Sequence, residues 1–159
     1  MRKCANLTSL SLGILFNILT VGIPITPNYP GCKTILCIDD DAGMLSYQRA
    51  LLERRGFSVL TAASARQGLQ IAAACMLAAV IVDYHMPEMY GYEVAAEIKR
   101  LRPGTPIVMV SSDEELPDHA LKMVDAFISK NEASRRLLPM IAKICGENPP
   151  GPTENRIAS

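Results

Sequence analysis

From Lys33 onward, two hydrophobic patterns take turns along the chain. Short runs that are apolar or β-rich almost throughout occupy residues 34–38, 57–61, 79–83, 106–110 and 125–129. Runs this short and continuous predict strands buried on both faces rather than strands with one wet side. Between them, apolar residues recur at three-and-four spacing, the period of a helix with one buried stripe. The predicted stripes are Met44, Tyr47 and Leu51 with Leu52 beside them, then Ala65, Leu69, Ala72 and Ala73. Val94, Ala95, Ile98 and Leu101 follow in a helix over residues 91–101, and Leu137, Leu138, Ile141 and Ile144 in the last helix. Residues 113–122 form a weaker helix, interrupted by Pro117.

The punctuation agrees with these elements. Arg54 and Arg55 suit the C-terminal dipole of the first helix, and Gly56 suits the position just past it. Ser64 and Gln67 have the spacing of a capping box. Pro103-Gly104 stops the third helix, Asn131 is placed to cap the last, and Gly146 to end it. Five strand–helix units predict a parallel sheet covered on both faces. Right-handed crossovers then bring every strand's carboxyl end to one edge. Asp39 and Asp40, Asp83, Ser111 and Lys130 each follow a predicted strand and are expected to converge there.

The two ends read differently. Residues 1–32 carry Arg2 and Lys3, then no charge until Lys33, with a mostly apolar run over 10–21 and prolines at 24, 27 and 30. The run is short for a bilayer span, which takes about 20 apolar residues, and no clear cleavage site follows it. A membrane anchor, an export signal and a non-native extension from a wrongly chosen start stay open. The extension is favoured, and an anchor comes second. The expected location is therefore cytoplasmic, with a membrane tether if residues 1–32 anchor the chain. Residues 147–159, rich in proline and polar groups, read as a flexible tail too short for an output domain. Residues 33–146 form the one folded domain. Sixteen basic and 16 acidic residues balance to a formal charge of 0, so no basic nucleic-acid footprint is expected. The five cysteines include no Cys-x-x-Cys pair, which argues against a zinc knuckle or a disulfide scaffold.

The converging edge has a definite chemistry. Carboxylates close together repel one another unless a cation relieves them. Mg²⁺ suits the task, because it prefers oxygen ligands and takes one or two carboxylates plus a phosphate. Lys130 offers a compact positive charge to a phosphoryl oxygen, and Ser111 offers a hydroxyl donor. An ionised Asp83 in that company is a competent nucleophile toward phosphorus.

Ile35-Leu36-Cys37-Ile38-Asp39-Asp40, Asp83 with Met86-Pro87, residues 106–111, and Phe127-Ile128-Ser129-Lys130 stand in register. Together they resemble the receiver domain of two-component response regulators, of the stand-alone, chemotaxis-regulator-like kind. The resemblance implies an α/β, doubly wound, flavodoxin-like sheet of five parallel strands in the order 2-1-3-4-5. It implies that Asp83 takes a phosphoryl group from a phosphohistidine of a sensor histidine kinase or phosphotransfer protein. Asp40, Asp83 and the backbone carbonyl of His85 would hold Mg²⁺, with Asp39 acting mostly through water. Ser111 and Lys130 would grip the phosphoryl group, and Ser111 and Phe127 would switch a surface read by a downstream protein. Such a domain catalyses only its own phosphorylation and dephosphorylation. Asn131 stands where many relatives have proline, and Tyr90 where aspartate is common. His85 occupies a variable position that the family links to the lifetime of the phosphoryl group.

Taken singly, these residues have plainer readings. Asp41 is expected to cap the first helix, His85 to be a loop side chain, His119 a solvated helix residue, and Met89 and Tyr92 packing residues. Two rival functions are a receiver-like domain that docks without phosphorylation and a phosphohydrolase with an aspartyl intermediate. All the acidic residues and the lysine are present, which disfavours the first. His85 stands where a dehalogenase-type hydrolase needs its second aspartate, which disfavours the second. A dinucleotide site lacks its glycine fingerprint after the first strand.

Overall fold

The buried apolar runs do become strands. A computed structural model describes residues 33–146; residues 1–32 and 147–159, read above as an extension and a tail, lie outside the described residues. Strands β1 (Thr34–Ile38), β2 (Ser58–Ala62), β3 (Ala79–Asp83), β4 (Ile107–Ser111) and β5 (Ala126–Ser129) alternate with five helices. These are α1 (Ala42–Glu53), α2 (Ala65–Ala74), α3 (Gly91–Leu101), α4 (Asp118–Leu121) and α5 (Ala133–Ile144). All neighbouring strands pair in parallel, in the order β2-β1-β3-β4-β5. Every residue of β3 and β4 is buried, as expected of continuous apolar strands with helices on both sides.

Successive strand residues serve opposite layers. Leu36, Ile38, Val80, Val82, Ile107 and Met109 pack under α2 and α3, through Ile71, Val94 and Ile98. Ile35, Cys37, Ile81, Val108 and Val110 pack against Leu45 and Leu52 of α1 and Leu137 and Ile141 of α5. Arg102, just past α3, reaches across and donates to the Ala72 and Ala73 carbonyls at 3.2 and 3.1 Å, closing the end of α2.

Several local expectations shift. In α1 the buried stripe is Leu45, Gln48 and Leu52, while Tyr47 is 40% exposed and Met44 and Leu51 are half-buried. A glutamine in the stripe hid its phase from a hydrophobic count. In α2, Ile71 takes the inward place expected of Ala73, which is exposed. The Ser64 hydroxyl accepts from Gln67 N as expected, but the Gln67 side chain accepts from Ala63 N, one residue earlier than a capping box requires. Leu101 is exposed at the end of α3, where the stripe has rotated out of the core. The fourth helix is one turn, starting after Pro117, whose fixed φ suits the entry to a helix. Glu132, not Asn131, occupies the start of α5. Gly56 does end the first helical segment, at φ +83°.

Gly91 has a different task. Its N–H donates to the Tyr84 carbonyl at 2.9 Å, closing the loop after β3. A Cβ at Gly91 would lie 2.1 Å from the Asp83 carbonyl oxygen, so α3 begins pressed against the main chain of Asp83.

Candidate functional site

The carboxyl edge of the sheet gathers residues at or just past the ends of β1, β3, β4 and β5. Asp39 leaves β1 fully buried, and its Oδ1 accepts from Asp41 N at 2.9 Å. Asp41 in turn caps α1, its carboxylate accepting from Gly43 N and Met44 N at 2.7 and 3.2 Å, as expected. Asp83 is the last residue of β3 and is 3% exposed, whereas Asp40 is open to solvent. Carboxyl oxygens of Asp39, Asp40 and Asp83 all lie within 4.8 Å of one another. Lys130, following β5, reaches into this group: its Nζ is 2.7 Å from Asp83 Oδ1 and 3.2 Å from Asp39 Oδ2.

Ser111 ends β4, fully buried. Its carbonyl accepts from Lys130 N at 2.6 Å, and its hydroxyl accepts from Asp113 N at 3.1 Å. The His85 ring stands 2.6 Å from Asp113 Oδ2, so a hydrogen bond bridges the loops after β3 and β4. Phe127 lies within β5, three residues before Lys130. It pairs with Met109 across β4 and β5 and packs half-buried against the layer under α2 and α3.

Burial pushes the Asp83 carboxyl above its ordinary range, and the nearby charges of Asp39 and Asp40 add to that, while Lys130 opposes it. For Lys130, burial disfavours the ammonium, but hydrogen bonding and attraction to Asp83 and Asp39 outweigh it and raise the pKa. One ammonium thus faces three carboxyl groups. Asp39 Oδ2 is buried, with the Lys130 ammonium beside it at 3.2 Å. An all-oxygen donor set with more negative than positive charge fits a hard divalent cation.

Two features escaped the sequence. The His85–Asp113 contact joins residues on different loops, which no local pattern reports. Tyr84, Tyr90 and Tyr92 form one aromatic group, with Tyr90 and Tyr92 stacked at 5.9 Å and His119 set edge-on to Tyr92 at 5.0 Å. The clustering of three tyrosines around Pro87 was the available signal.

The response regulator receiver domain model matches residues 35–142. The photosynthetic apparatus regulatory protein RegA of Cereibacter sphaeroides is 30% identical over 138 residues, covering 80% of this chain and 70% of RegA. The transcriptional regulatory protein GlrR of Escherichia coli is 36% identical over 84 residues, 53% of this chain and 19% of GlrR, so the chain spans about a fifth of that relative. Among solved structures, a CheY-like response regulator receiver domain protein from Methanospirillum hungatei is 31% identical. It superposes with a TM-score of 0.69 over 73% of this chain and 95% of that one. The response regulator TrrA of Thermotoga maritima, in complex with Mg²⁺-BeF, shares the fold at 24% identity and a TM-score of 0.67, over 70% of this chain and 98% of that one. With the strand order, the acidic edge and these likenesses in agreement, the chain belongs to the response regulator receiver domain family.

Proposed function

We propose that this domain is a phosphoacceptor of a two-component phosphorelay and that Asp83 is the residue modified. The observation that carries this reading is the buried Asp83 carboxylate, 2.7 Å from Lys130 Nζ at an edge shared with Asp39 and Asp40. A carboxylate oxygen of Asp83 forms a bond to phosphorus while the bond from phosphorus to a histidine nitrogen of the donor breaks. The electron pair leaves with the imidazole, which takes up a proton, and an acyl phosphate remains. Attack of water on that phosphorus returns the carboxylate, so the domain acts on itself alone.

Lys130 keeps Asp83 oriented and balances charge that builds on the phosphoryl oxygens. Ser111 supplies a hydroxyl to the same group, and its movement, with that of the Phe127 ring, converts the new charge into a change of surface. Asp39, Asp40, Asp83 and the His85 carbonyl would hold Mg²⁺. The ion would supply charge neutralisation and a fixed seat for the phosphoryl oxygens. TrrA's complex with Mg²⁺-BeF supports the assignment by likeness of fold.

The phosphodonor is a sensor histidine kinase or phosphotransfer protein, and a downstream protein reads the switched face. A donor of this kind places the domain on the cytoplasmic side. Among the described residues no helix is long and apolar enough to cross a membrane. The test is transfer of labelled phosphate from a phosphorylated histidine kinase to the wild type and to Asp83→Asn. The wild type is expected to acquire an acid-stable, base-labile label and the folded variant none; label persisting in Asp83→Asn would refute the assignment.

A further inference from the structure

Beside the acidic edge lies a groove of about 590 Å³, open to solvent, between the turn after β1 and the start of α3. Its wall includes the stacked rings of Tyr90 and Tyr92, with Tyr90 49% exposed. Met86, Pro87 and Met89 supply apolar surface. Three carboxylates line it, those of Asp40, Glu88 and Glu93, together with the imidazole of His85, which is turned to Asp113.

We propose that this groove docks a short basic segment of a partner protein, an arginine or lysine lying over the Tyr90 and Tyr92 rings. Charge complementarity selects the occupant, because three carboxylates and no lysine or arginine line the groove. The rings add attraction for a cation over their faces. A thioether side chain adapts to varied neighbours, so the half-buried Met89 suits an apolar residue flanking the cation. A space of about 590 Å³ exceeds one side chain and matches a few residues of peptide. Glu93 Oε2 is already committed to Tyr90 N at 2.9 Å, which fixes the N-terminus of α3 and holds Tyr90 in the wall.

Asp40 is shared between this groove and the proposed Mg²⁺ site, so the inference deepens the receiver reading by naming the chemistry of its partner. The test uses the full chain labelled with ¹⁵N and two acetylated peptides, Leu-Arg-Leu-Arg-Leu and Leu-Glu-Leu-Glu-Leu. The basic peptide is expected to shift amides of residues 85–93, and the acidic one none. Tyr90→Ala and Glu88→Gln are each expected to weaken binding by about fivefold. Both variants should keep the wild-type response of the Ser111 and Lys130 amides to beryllofluoride with Mg²⁺, which serves as the check on folding. Equal shifts from both peptides, shifts centred elsewhere, or unchanged affinity in both variants would overturn the proposal. Equal occupancy by spermidine at the same concentration would also overturn it, replacing the peptide with a small amine. Failure of beryllofluoride alone, with peptide binding intact, would remove the phosphoacceptor reading and leave the groove assignment standing.

Discussion

Replacing Lys130 with methionine isolates what the ammonium contributes. Its Nζ lies 2.7 Å from Asp83 Oδ1 and 3.2 Å from Asp39 Oδ2, and its side chain is 19% exposed. At an effective dielectric near 20, the two contacts carry about 6 and about 5 kcal/mol of gross attraction. Desolvation of the three groups offsets most of this, and loss of one partner from a buried pair costs roughly 3 kcal/mol, because an uncompensated charge remains. The pH dependence gives the sharper signature. Asp83 already has a folded pKa raised above its unfolded value. A group of this kind favours folding below the unfolded pKa and loses that contribution as pH rises through the folded one. Removing Lys130 takes away the influence that lowers the Asp83 pKa, so the window of loss extends upward. Lys130→Met should therefore be destabilised by about 3 kcal/mol near pH 7 and by distinctly less near pH 5. Urea denaturation at both pH values, with and without Mg²⁺, measures this directly. Mg²⁺ should stabilise the variant more than the wild type, since it would relieve the same carboxylates. A destabilisation independent of pH and of Mg²⁺ would refute the electrostatic account and make Lys130 a packing residue.

Three further outcomes are expected. Gly91→Ala sets a methyl against the Asp83 carbonyl and should cost about 1–3 kcal/mol in thermal or urea unfolding while slowing acyl-phosphate formation; wild-type stability and rate would show that the contact yields freely. Gln48→Met replaces a fully buried amide whose Oε1 has no partner and should raise stability by about 1 kcal/mol, read as a higher urea midpoint. Burial pushes the Cys37 thiol up to about 12, so iodoacetamide at mildly alkaline pH should leave Cys37 unmodified until the domain unfolds; mass spectrometry of digested protein locates any label.

The sheet was legible because continuous apolar runs cannot tolerate a wet face, and β3 and β4 obey that rule at every residue. Convergence of Asp39, Asp40, Asp83 and Lys130 followed from crossover handedness alone, without knowledge of any contact. Helix faces were less legible. In α1, Tyr47 looks apolar to a pattern yet keeps its phenol wet, and Gln48 looks polar yet is enclosed by core side chains. The start of α5 moved from Asn131 to Glu132 because capping preference is worth about 1 kcal/mol, which tertiary packing of Ala133 and Leu137 readily overrides. Contacts between loops, such as His85 with Asp113, depend on side-chain directions that no spacing encodes.

The closure at Gly91 constrains how this segment can vary. One peptide bond-to-bond contact pins both ends of the stretch from Tyr84 to Gly91, and the following helix rests directly on the backbone of Asp83. Its exposed side chains, Glu88 and Tyr90, can therefore be exchanged much as in a cassette, while Tyr84 and Met86 stay anchored in the core and the two fixed ends hold the length constant. Recognition can drift at those outer positions while the main chain beneath Asp83 keeps its place, and a change of length is what the closure resists.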